Sequence, residues 1–161
     1  MKTSTFYSNT EKLLNKALEK NPSDVIYENT DDGVYFTPNK KKAHYVYFLP
    51  NQHICKASGM NDTISSGLMS SLFKTAAYLS EKVSEVEING KELIRIENDN
   101  KVVKFFDKKL IKKFPDNASY YLDNEKHSPV IIGIWDKKDV RLHMCGCVFP
   151  VNIAQDNSDS E

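Results

Sequence analysis

Two apolar runs near the C-terminus, separated by four charged residues, constrain the fold more than any other part of the sequence. Residues 130–135 are almost continuously apolar and are entered through Pro129. A short apolar run bounded by turn signals indicates a strand that is buried on both faces. Residues 136–139 have the composition of a hairpin loop, and residues 140–151 predict a long returning strand. We therefore expect a β-hairpin in the core of the fold.

The segment before this hairpin predicts a short helix followed by another strand. Asp107 can cap a lysine-rich helical stretch over residues 108–114, which Pro115 ends. Residues 118–122 form a short run rich in aromatic side chains, which is typical of a strand. The last third of the chain therefore predicts one short helix and three strands.

Two longer amphipathic helices are predicted earlier in the chain. Ser8 and Glu11 have the spacing of a capping box, so the first helix is expected to begin there and to end before Pro22. Its leucines and alanine share one face, and its lysines and glutamates share the other. A second apolar stripe at helical spacing predicts a helix over residues 67–83.

Short strands are predicted around these helices. The candidates are residues 5–7, 25–28, 33–37, 43–49, 53–57, 85–88, 93–97 and 101–106. Polar turn residues separate most of them, and Asn89-Gly90 is a strong signal for a two-residue hairpin turn. These strands should pair with their neighbours in antiparallel fashion.

The order of elements predicts an α+β fold with antiparallel sheets, built from β-α-βββ units over about residues 1–50, 51–106 and 104–151. The first and last units end in similar sequences, Phe48-Leu49-Pro50-Asn51 and Phe149-Pro150-Val151-Asn152. The helices are unevenly spaced, which leaves a chance similarity open. We expect a single domain over residues 1–151. The acidic tail, residues 152–161, should be disordered because it has too little apolar surface to offset the entropy of ordering.

Charge and composition exclude few classes of function. The chain has 161 residues with 22 basic and 22 acidic side chains, far from the strongly basic balance of an obligate nucleic-acid binder. No apolar stretch is long enough to cross a membrane, and the N-terminus lacks the apolar core of a signal peptide. The 3 cysteines are expected to stay reduced. These features predict a cytoplasmic protein with no membrane partner.

Residues 104–152 resemble the C-terminal segment of DNA sliding clamps of the bacterial β-subunit type. The shared pieces are the short helix, the strand after it, Ser128-Pro129 before an apolar strand, the charged hairpin 136–139, and the ending Cys147-Val148-Phe149-Pro150-Val151. The β-α-βββ grouping is similar to the half-domain from which clamp domains are built. The chain departs from that family in its length, because members have two or three complete domains, and in Asn152, where a basic residue usually follows.

The resemblance implies a non-catalytic ring whose inner helices direct lysines toward duplex DNA. Such a contact is independent of base sequence and sensitive to salt. A ring would require a homo-oligomer, because this chain is too short to close one alone. The alternative is that these lysines are simply solvated. The DNA-binding candidates are Lys12, Lys16, Lys20, Lys74, Lys82, Lys112 and Lys113.

The resemblance also implies a pocket at the last strand that takes short peptide motifs of replication proteins. Cys147, Phe149, Pro150 and Val151 match the residues of that ending. The same residues could serve as ordinary edge or core residues, and both interpretations stay open.

No other arrangement of residues predicts catalysis, a metal or a cofactor. His143, Cys145 and Cys147 are zinc-type ligands, as are His53 and Cys55. Same-face residues i and i+4 on one strand lie about 13 Å apart, which is too far for both to ligate one ion. A site shared between two strands remains the alternative. The sequence contains no phosphate-binding glycine loop, nucleophile elbow or HExxH motif.

Two functional hypotheses follow. The first is a clamp-like, non-catalytic protein of DNA replication, such as a reduced or viral relative that forms a ring or imitates one. The second is a small α+β protein-interaction module or inhibitor with no role in nucleic-acid binding. An enzyme is not expected, because no constellation of side chains supports one.

Overall fold

The computed structural model describes residues 2–55 and 78–153 and confirms the α+β class. Helix α1 spans Thr3–Lys20, helix α2 spans Lys108–Ile111, and short 3₁₀ turns occupy Pro22–Asp24 and Lys40–Lys42. The described strands are β1 (Ile26–Asn29), β2 (Gly33–Thr37), β3 (Tyr45–Pro50), β4 (Tyr78–Ser80), β5 (Lys82–Ile88), β6 (Lys91–Glu97), β7 (Val103–Asp107), β8 (Ser119–Leu122), β9 (Val130–Asp136) and β10 (Arg141–Val148).

Helix α1 begins earlier than the capping-box signal predicted. Its N-cap is Lys2, which makes no side-chain capping bond, so Ser8 and Glu11 lie inside the helix and residues 5–7 form no strand. The predicted helix start and the predicted first strand were therefore wrong. The inward face buries Phe6, Thr10 and Leu14. Burial of this face against the sheet stabilises the first turns in place of a side-chain cap.

Seven strands form one antiparallel sheet in the order β1-β2-β3-β10-β9-β8-β4. The predicted hairpin at residues 130–151 is confirmed as β9 and β10, which pair from Val148↔Val130 to Arg141↔Asp136. The first five residues of β9 are buried, as an apolar run between two neighbouring strands requires. The returning strand ends at Val148, three residues before the predicted limit.

Strands β5, β6 and β7 form a separate antiparallel meander. Asn89 and Gly90 turn β5 into β6, and both have positive φ angles, 53° and 79°, as a tight hairpin turn of this kind requires. The helix predicted over residues 67–83 is contradicted at its C-terminal end, because residues 78–80 and 82–83 belong to β4 and β5. The rest of that helix, 67–77, lies outside the described residues.

Two smaller predictions need correction. The candidate strand at residues 53–57 is not formed at residues 53–55, and its last two residues lie outside the described part of the chain. The short helix predicted over residues 108–114 ends at Ile111 and continues as a turn. Its predicted cap is confirmed, because the Asp107 carboxylate accepts a hydrogen bond from the backbone N–H of Lys109 at 2.9 Å.

The core lies mainly on one face of the seven-stranded sheet. Phe6 of α1 and Phe114 after α2 meet there, with ring centroids 5.9 Å apart, and both pack against Tyr47 of β3. The meander adds Ile94 and Phe106 to the same buried cluster. Both helices and the small sheet therefore cover one face of the large sheet. A second buried cluster lies on the opposite face and contains Tyr35, Val46, Phe48, Ile131 and Cys147.

The strand order β1-β2-β3-β10-β9-β8 is symmetric about the β3–β10 pair, so a local two-fold axis relates the strand positions of the segments α1-β1-β2-β3 and α2-β8-β9-β10. Strands β3 and β10 are the third strands of the two segments, and they pair antiparallel at the centre of the sheet. Val46 lies opposite Cys147, and the shift of 101 residues that aligns Phe48 with Phe149 also aligns Val46 with Cys147. The axis therefore passes between Val46 and Cys147. Both helices lie on the same face of the sheet, on either side of this axis.

A buried polar contact joins the meander to the loop between β8 and β9. Asn98 donates to the Leu122 carbonyl at 3.2 Å and to Asn124 at 2.9 Å. The Lys104 ammonium lies 3.3 Å from the Asp123 carboxylate and also donates to the carbonyls of Glu125 and Ser128. We call this set of contacts the latch. No helix in the described ranges is long and apolar enough to cross a membrane.

Candidate nucleic-acid interface

Helix α1 carries a row of exposed lysines on its outer surface. Lys12, Lys16 and Lys20 are four residues apart and exposed, so they follow one stripe about 12 Å long. At about 100° per residue, Lys16 and Lys20 lie within about 80° of Phe6, on the same side of the helix axis. Phe6 contacts Phe114, which follows α2. The lysine row therefore flanks the side of α1 that meets α2.

The connection between β2 and β3 brings three more lysines to the C-terminal end of α1. Strand β1 begins six residues after Lys20, and its first residue, Ile26, pairs with Thr37 at the end of β2. Thr37 donates a hydrogen bond to the Tyr45 carbonyl at 2.9 Å, which closes the connection. Lys40, Lys41 and Lys42 form an exposed turn within it.

The turn after α2 reaches the same end of the sheet. The Lys113 ammonium lies 5.0 Å from the centre of the Tyr45 ring, a cation–π contact that places this lysine beside the β2–β3 connection. Lys112, its neighbour, is also exposed. We name this surface the lysine end; it consists of Lys16, Lys20, Lys40, Lys41, Lys42, Lys112 and Lys113.

The lysine end has a local charge excess although the chain is neutral overall. Residues 16–26, 37–45 and 112–113 contain seven lysines and two acidic residues, Glu19 and Asp24. This leaves an excess of five positive charges at one end of a molecule with formal net charge zero. Charge asymmetry of this kind creates a local positive potential that attracts anions.

Other lysines near the meander are neutralised by acidic neighbours. Lys108 lies 2.6 Å from a Glu85 oxygen and 3.3 Å from a Glu92 oxygen. These contacts raise the pKa of Lys108 and lower the pKa of Glu85. Lys82, a predicted DNA-binding residue, lies 3.8 Å from Glu97. It belongs to β5 rather than to a helix, so its predicted placement on a helical face was wrong.

The structure brings together five of the seven predicted DNA-binding lysines. Lys16, Lys20, Lys112 and Lys113 belong to the lysine end, and Lys12 lies one turn further along the same row of α1. Lys74 lies outside the described residues. Sequence reasoning missed Lys40–Lys42, although three consecutive lysines are visible in the sequence, because that run was interpreted only as a turn.

The four residues predicted to form a peptide pocket do not line one common surface in the structure. Pro150 and Val151 are half-buried and line a cavity of about 180 Å³ together with Val103 and Phe105 of β7. The Val151 N–H donates to the Phe105 carbonyl at 2.8 Å, which holds the chain against the edge of the meander. Phe149 packs instead against the second buried cluster, and Cys147 is fully buried. Cys147 is therefore not accessible to a partner in this fold, contrary to its predicted role.

The hairpin loop between β9 and β10 contains a group of three ligand-type side chains. Within the described ranges, donor atoms of Asp136, Asp139 and His143 lie within 4.8 Å of one another. The His143 ring nitrogen is hydrogen-bonded to Asp136 at 3.0 Å, and the backbone N–H groups of Lys138 and Asp139 donate to the other Asp136 oxygen. These contacts lower the pKa of Asp136. They hold the loop closed.

Two of the cysteines considered as zinc ligands, Cys145 and Cys147, have environments unsuited to thiolate chemistry. Burial raises the pKa of Cys145 to about 12 and raises the pKa of Cys147 further. A thiol must lose its proton to act as a metal ligand or as a nucleophile. Cys55 is exposed, and all three cysteines are free.

No family model, no curated protein and no solved structure matches this chain.

Proposed function

We propose that this protein is a non-catalytic, DNA-associated protein that contacts duplex DNA through the lysine end, independently of base sequence. The observation that carries the proposal is the convergence of lysines from three separate segments, around α1, the β2–β3 connection and α2, at one end of the sheet. Lysine is a point charge suited to phosphate oxygens rather than to base edges.

The dimensions of the surface suit a polyanion. The lysine row of α1 spans about 12 Å, and over that length a DNA duplex presents about seven phosphates. Binding would release the cations condensed on those phosphates, so the entropy of counterion release would drive association. A contact of this type has strong salt dependence and little sequence preference.

The arrangement of the helices supports the clamp-like form of the proposal. Helices α1 and α2 lie on one face of the sheet about the local two-fold axis, and exposed lysines occur on α1 (Lys12, Lys16, Lys20) and in the turn after α2 (Lys112, Lys113). In the sliding clamps that residues 104–152 resemble, paired helices face the duplex. A ring would require several copies of this chain, and a homo-oligomer is therefore part of the clamp-like form of the proposal but not of the DNA contact itself.

The test measures duplex binding as a function of salt for two matched variants. The double variant Lys41→Glu/Lys42→Glu replaces two positive charges of the lysine end with two negative charges. Lys101→Glu/Lys126→Glu makes the same charge change at two exposed lysines near the latch. We expect the first variant to weaken duplex binding and to reduce the slope of log K against log salt by about 1.8, which corresponds to two phosphate contacts.

The control variant should retain the affinity and the slope of the unmodified protein. Equal losses in both variants would assign the effect to net charge and contradict a localised interface. Absence of duplex binding by the unmodified protein at low salt would overturn the proposal and favour the protein-interaction module. Sedimentation of the free protein tests the ring separately, because the DNA contact does not require it.

A further inference from the structure

The hairpin β9–β10 presents the single tryptophan of the chain at the opposite end of the molecule from the lysine end. Trp135 is 47% exposed, although it follows five buried residues on the same strand. Val140, in the same hairpin loop, is 70% exposed. A large aromatic side chain that remains accessible beside a buried strand offers a flat surface for stacking.

A concave surface of about 690 Å³ lies between this hairpin and the N-terminal end of α1. It is lined by Trp135 together with the lysines of both elements, Lys2, Lys137 and Lys138. All three lysines are exposed. The surface is shallow and open to solvent. An aromatic ring and three ammonium groups therefore border one depression.

The acidic residues nearby cancel only part of this positive charge. Asp136 lines the same surface and Asp139 lies in the same hairpin loop, so two carboxylates offset two of the three ammonium charges. The first turn of α1 contains no acidic side chain. Arg141, which is exposed and pairs with Asp136 across the hairpin, adds a further positive charge.

We propose that this surface, which we call the tryptophan site, binds single-stranded nucleic acid by stacking a base on Trp135 while Lys2, Lys137 and Lys138 contact the flanking phosphates. An exposed aromatic ring in a basic groove is the usual platform for unpaired bases, because every base has a face that can stack. Paired bases in a duplex are stacked on each other and do not offer that face. The tryptophan site is therefore distinct in position and ligand from the lysine end, and it does not depend on the function proposed for that surface.

The fluorescence of Trp135 provides a direct measurement, because the chain contains 1 tryptophan. A deoxythymidine oligonucleotide, which forms no stable duplex with itself, is the probe. We expect it to quench the fluorescence of the unmodified full chain in a saturable manner, and we expect added salt to reverse the quenching. A blunt duplex of equal phosphate content should quench weakly.

Variants separate stacking from charge. Measured by anisotropy of a labelled oligonucleotide, Trp135→Ala should lose about 5- to 150-fold in affinity, while Trp135→Phe should retain much of it. Lys137→Glu/Lys138→Glu should weaken binding and reduce its salt slope by about 1.4. Lys101→Glu/Lys126→Glu, at two exposed lysines near the latch, is the matched control and should bind the oligonucleotide like the unmodified protein.

Three results would overturn the proposal. The first is absence of quenching of the unmodified protein by the oligonucleotide at low salt, a result that requires no variant to fold. The second is unchanged anisotropy in folded Trp135→Ala, with folding checked by circular dichroism. The third is a blue shift of Trp135 with anionic phospholipid vesicles but not with the oligonucleotide, which would assign the surface to a membrane. None of these results bears on duplex binding at the lysine end.

Discussion

Lys104 is buried beside an acidic partner, and its energetics differ from those of the surface lysines. Its side chain is 4% exposed and that of Asp123 is 7% exposed. Burial lowers the pKa of Lys104, and the Asp123 carboxylate opposes this shift. Desolvation of such a pair can cost as much as its attraction returns, but loss of one member leaves an uncompensated buried charge.

We predict that Lys104→Met lowers the free energy of unfolding by about 3 to 5 kcal/mol, because Asp123 would lose its cationic partner. Methionine retains most of the side-chain length, so the loss reports on charge and hydrogen bonds rather than on packing. The measurement is urea denaturation, with the exposed Lys101→Met as control, which should change stability by less than about 0.5 kcal/mol. Similar values for the two variants would show that the latch contributes little.

The tyrosines of the core predict how stability depends on alkaline pH. Burial raises the pKa of Tyr35 to about 12 and raises the pKa values of Tyr7, Tyr45, Tyr47 and Tyr120 as well. The folded state therefore keeps phenol protons that the unfolded state releases near pH 10. Their contribution to stability is fully present below pH 10 and is lost as the pH rises through the folded values. The lowered pKa of Lys104 has the opposite effect on stability just below the normal lysine pKa, but it is one group against five tyrosines and the two buried cysteines, whose pKa values are also raised.

We accordingly expect unfolding in the alkaline range above pH 10, with phenolate absorbance of these five tyrosines appearing together with the loss of far-ultraviolet circular dichroism. Stepwise titration of all tyrosines near pH 10, while the secondary structure persists, would contradict the burial described here. Samples returned to neutral pH should lose the phenolate absorbance and regain the circular dichroism signal.

At the scale of elements, local signals predicted the hairpins well and the helix ends poorly. The Asn89-Gly90 turn and strand β9 are determined by residues within each element, since turn chemistry and continuous apolarity act over a few residues. The start of α1 has no such local signal, because Lys2 provides no capping side chain. It is stabilised instead by contacts of Phe6 with Tyr47 and Phe114, residues far away in the sequence.

The apolar stripe that predicted a helix through residue 83 shows that helical spacing alone can mispredict a strand. Leu79 is 44% exposed and Val83 is 40% exposed, so their helical spacing does not correspond to a buried face. Residues 78–80 pair with β8, with Tyr78 opposite Leu122. Strand pairing between such distant segments depends on the tertiary fold and leaves no periodic signal that competes with the helical one.

The ending of β10 allows a test of the predicted peptide contact. Phe149 is half-buried against the second buried cluster, whereas Phe106 of β7 is fully buried. We predict that Phe149→Ala costs about 1 to 3 kcal/mol of unfolding free energy, below the roughly 3 to 5 kcal/mol expected for Phe106→Ala. Urea denaturation of both variants is the measurement. Equal costs would show that Phe149 is a core residue with no surface available to a partner.

At the scale of the whole molecule, the sequence contained part of the two-fold arrangement. The similar endings at Phe48 and Phe149 are visible in the sequence, and they mark the two strands that meet at the axis. Which strands pair could not be deduced, because β3 and β10 are about a hundred residues apart and no local pattern specifies their register. The lysine end is equally non-local, since it depends on three connections that meet at one end of the sheet.

The meander is expected to unfold together with the large sheet rather than separately. Its own sheet has three strands, about the minimum for independent stability. Ile94, Ile96 and Phe106 join the same buried cluster as α1 and the large sheet. The latch adds Lys104 and Asn98 to this attachment. Unfolding of the meander alone would expose those apolar side chains and leave Asp123 without its partner, so partial unfolding should be unfavourable.

We therefore predict a single cooperative urea transition, in which far-ultraviolet circular dichroism and Trp135 fluorescence give the same midpoint and the same slope. Trp135 reports on the hairpin of the large sheet, whereas circular dichroism reports on both sheets. An earlier circular dichroism transition would show that the meander unfolds separately.

Asn98→Ala tests what couples the meander to the large sheet. If the buried cluster dominates, the transitions measured by the two probes should still coincide, at a lower midpoint. If the latch dominates, the transitions should separate, because the removed amide contacts both the Leu122 carbonyl and Asn124 on the large-sheet side.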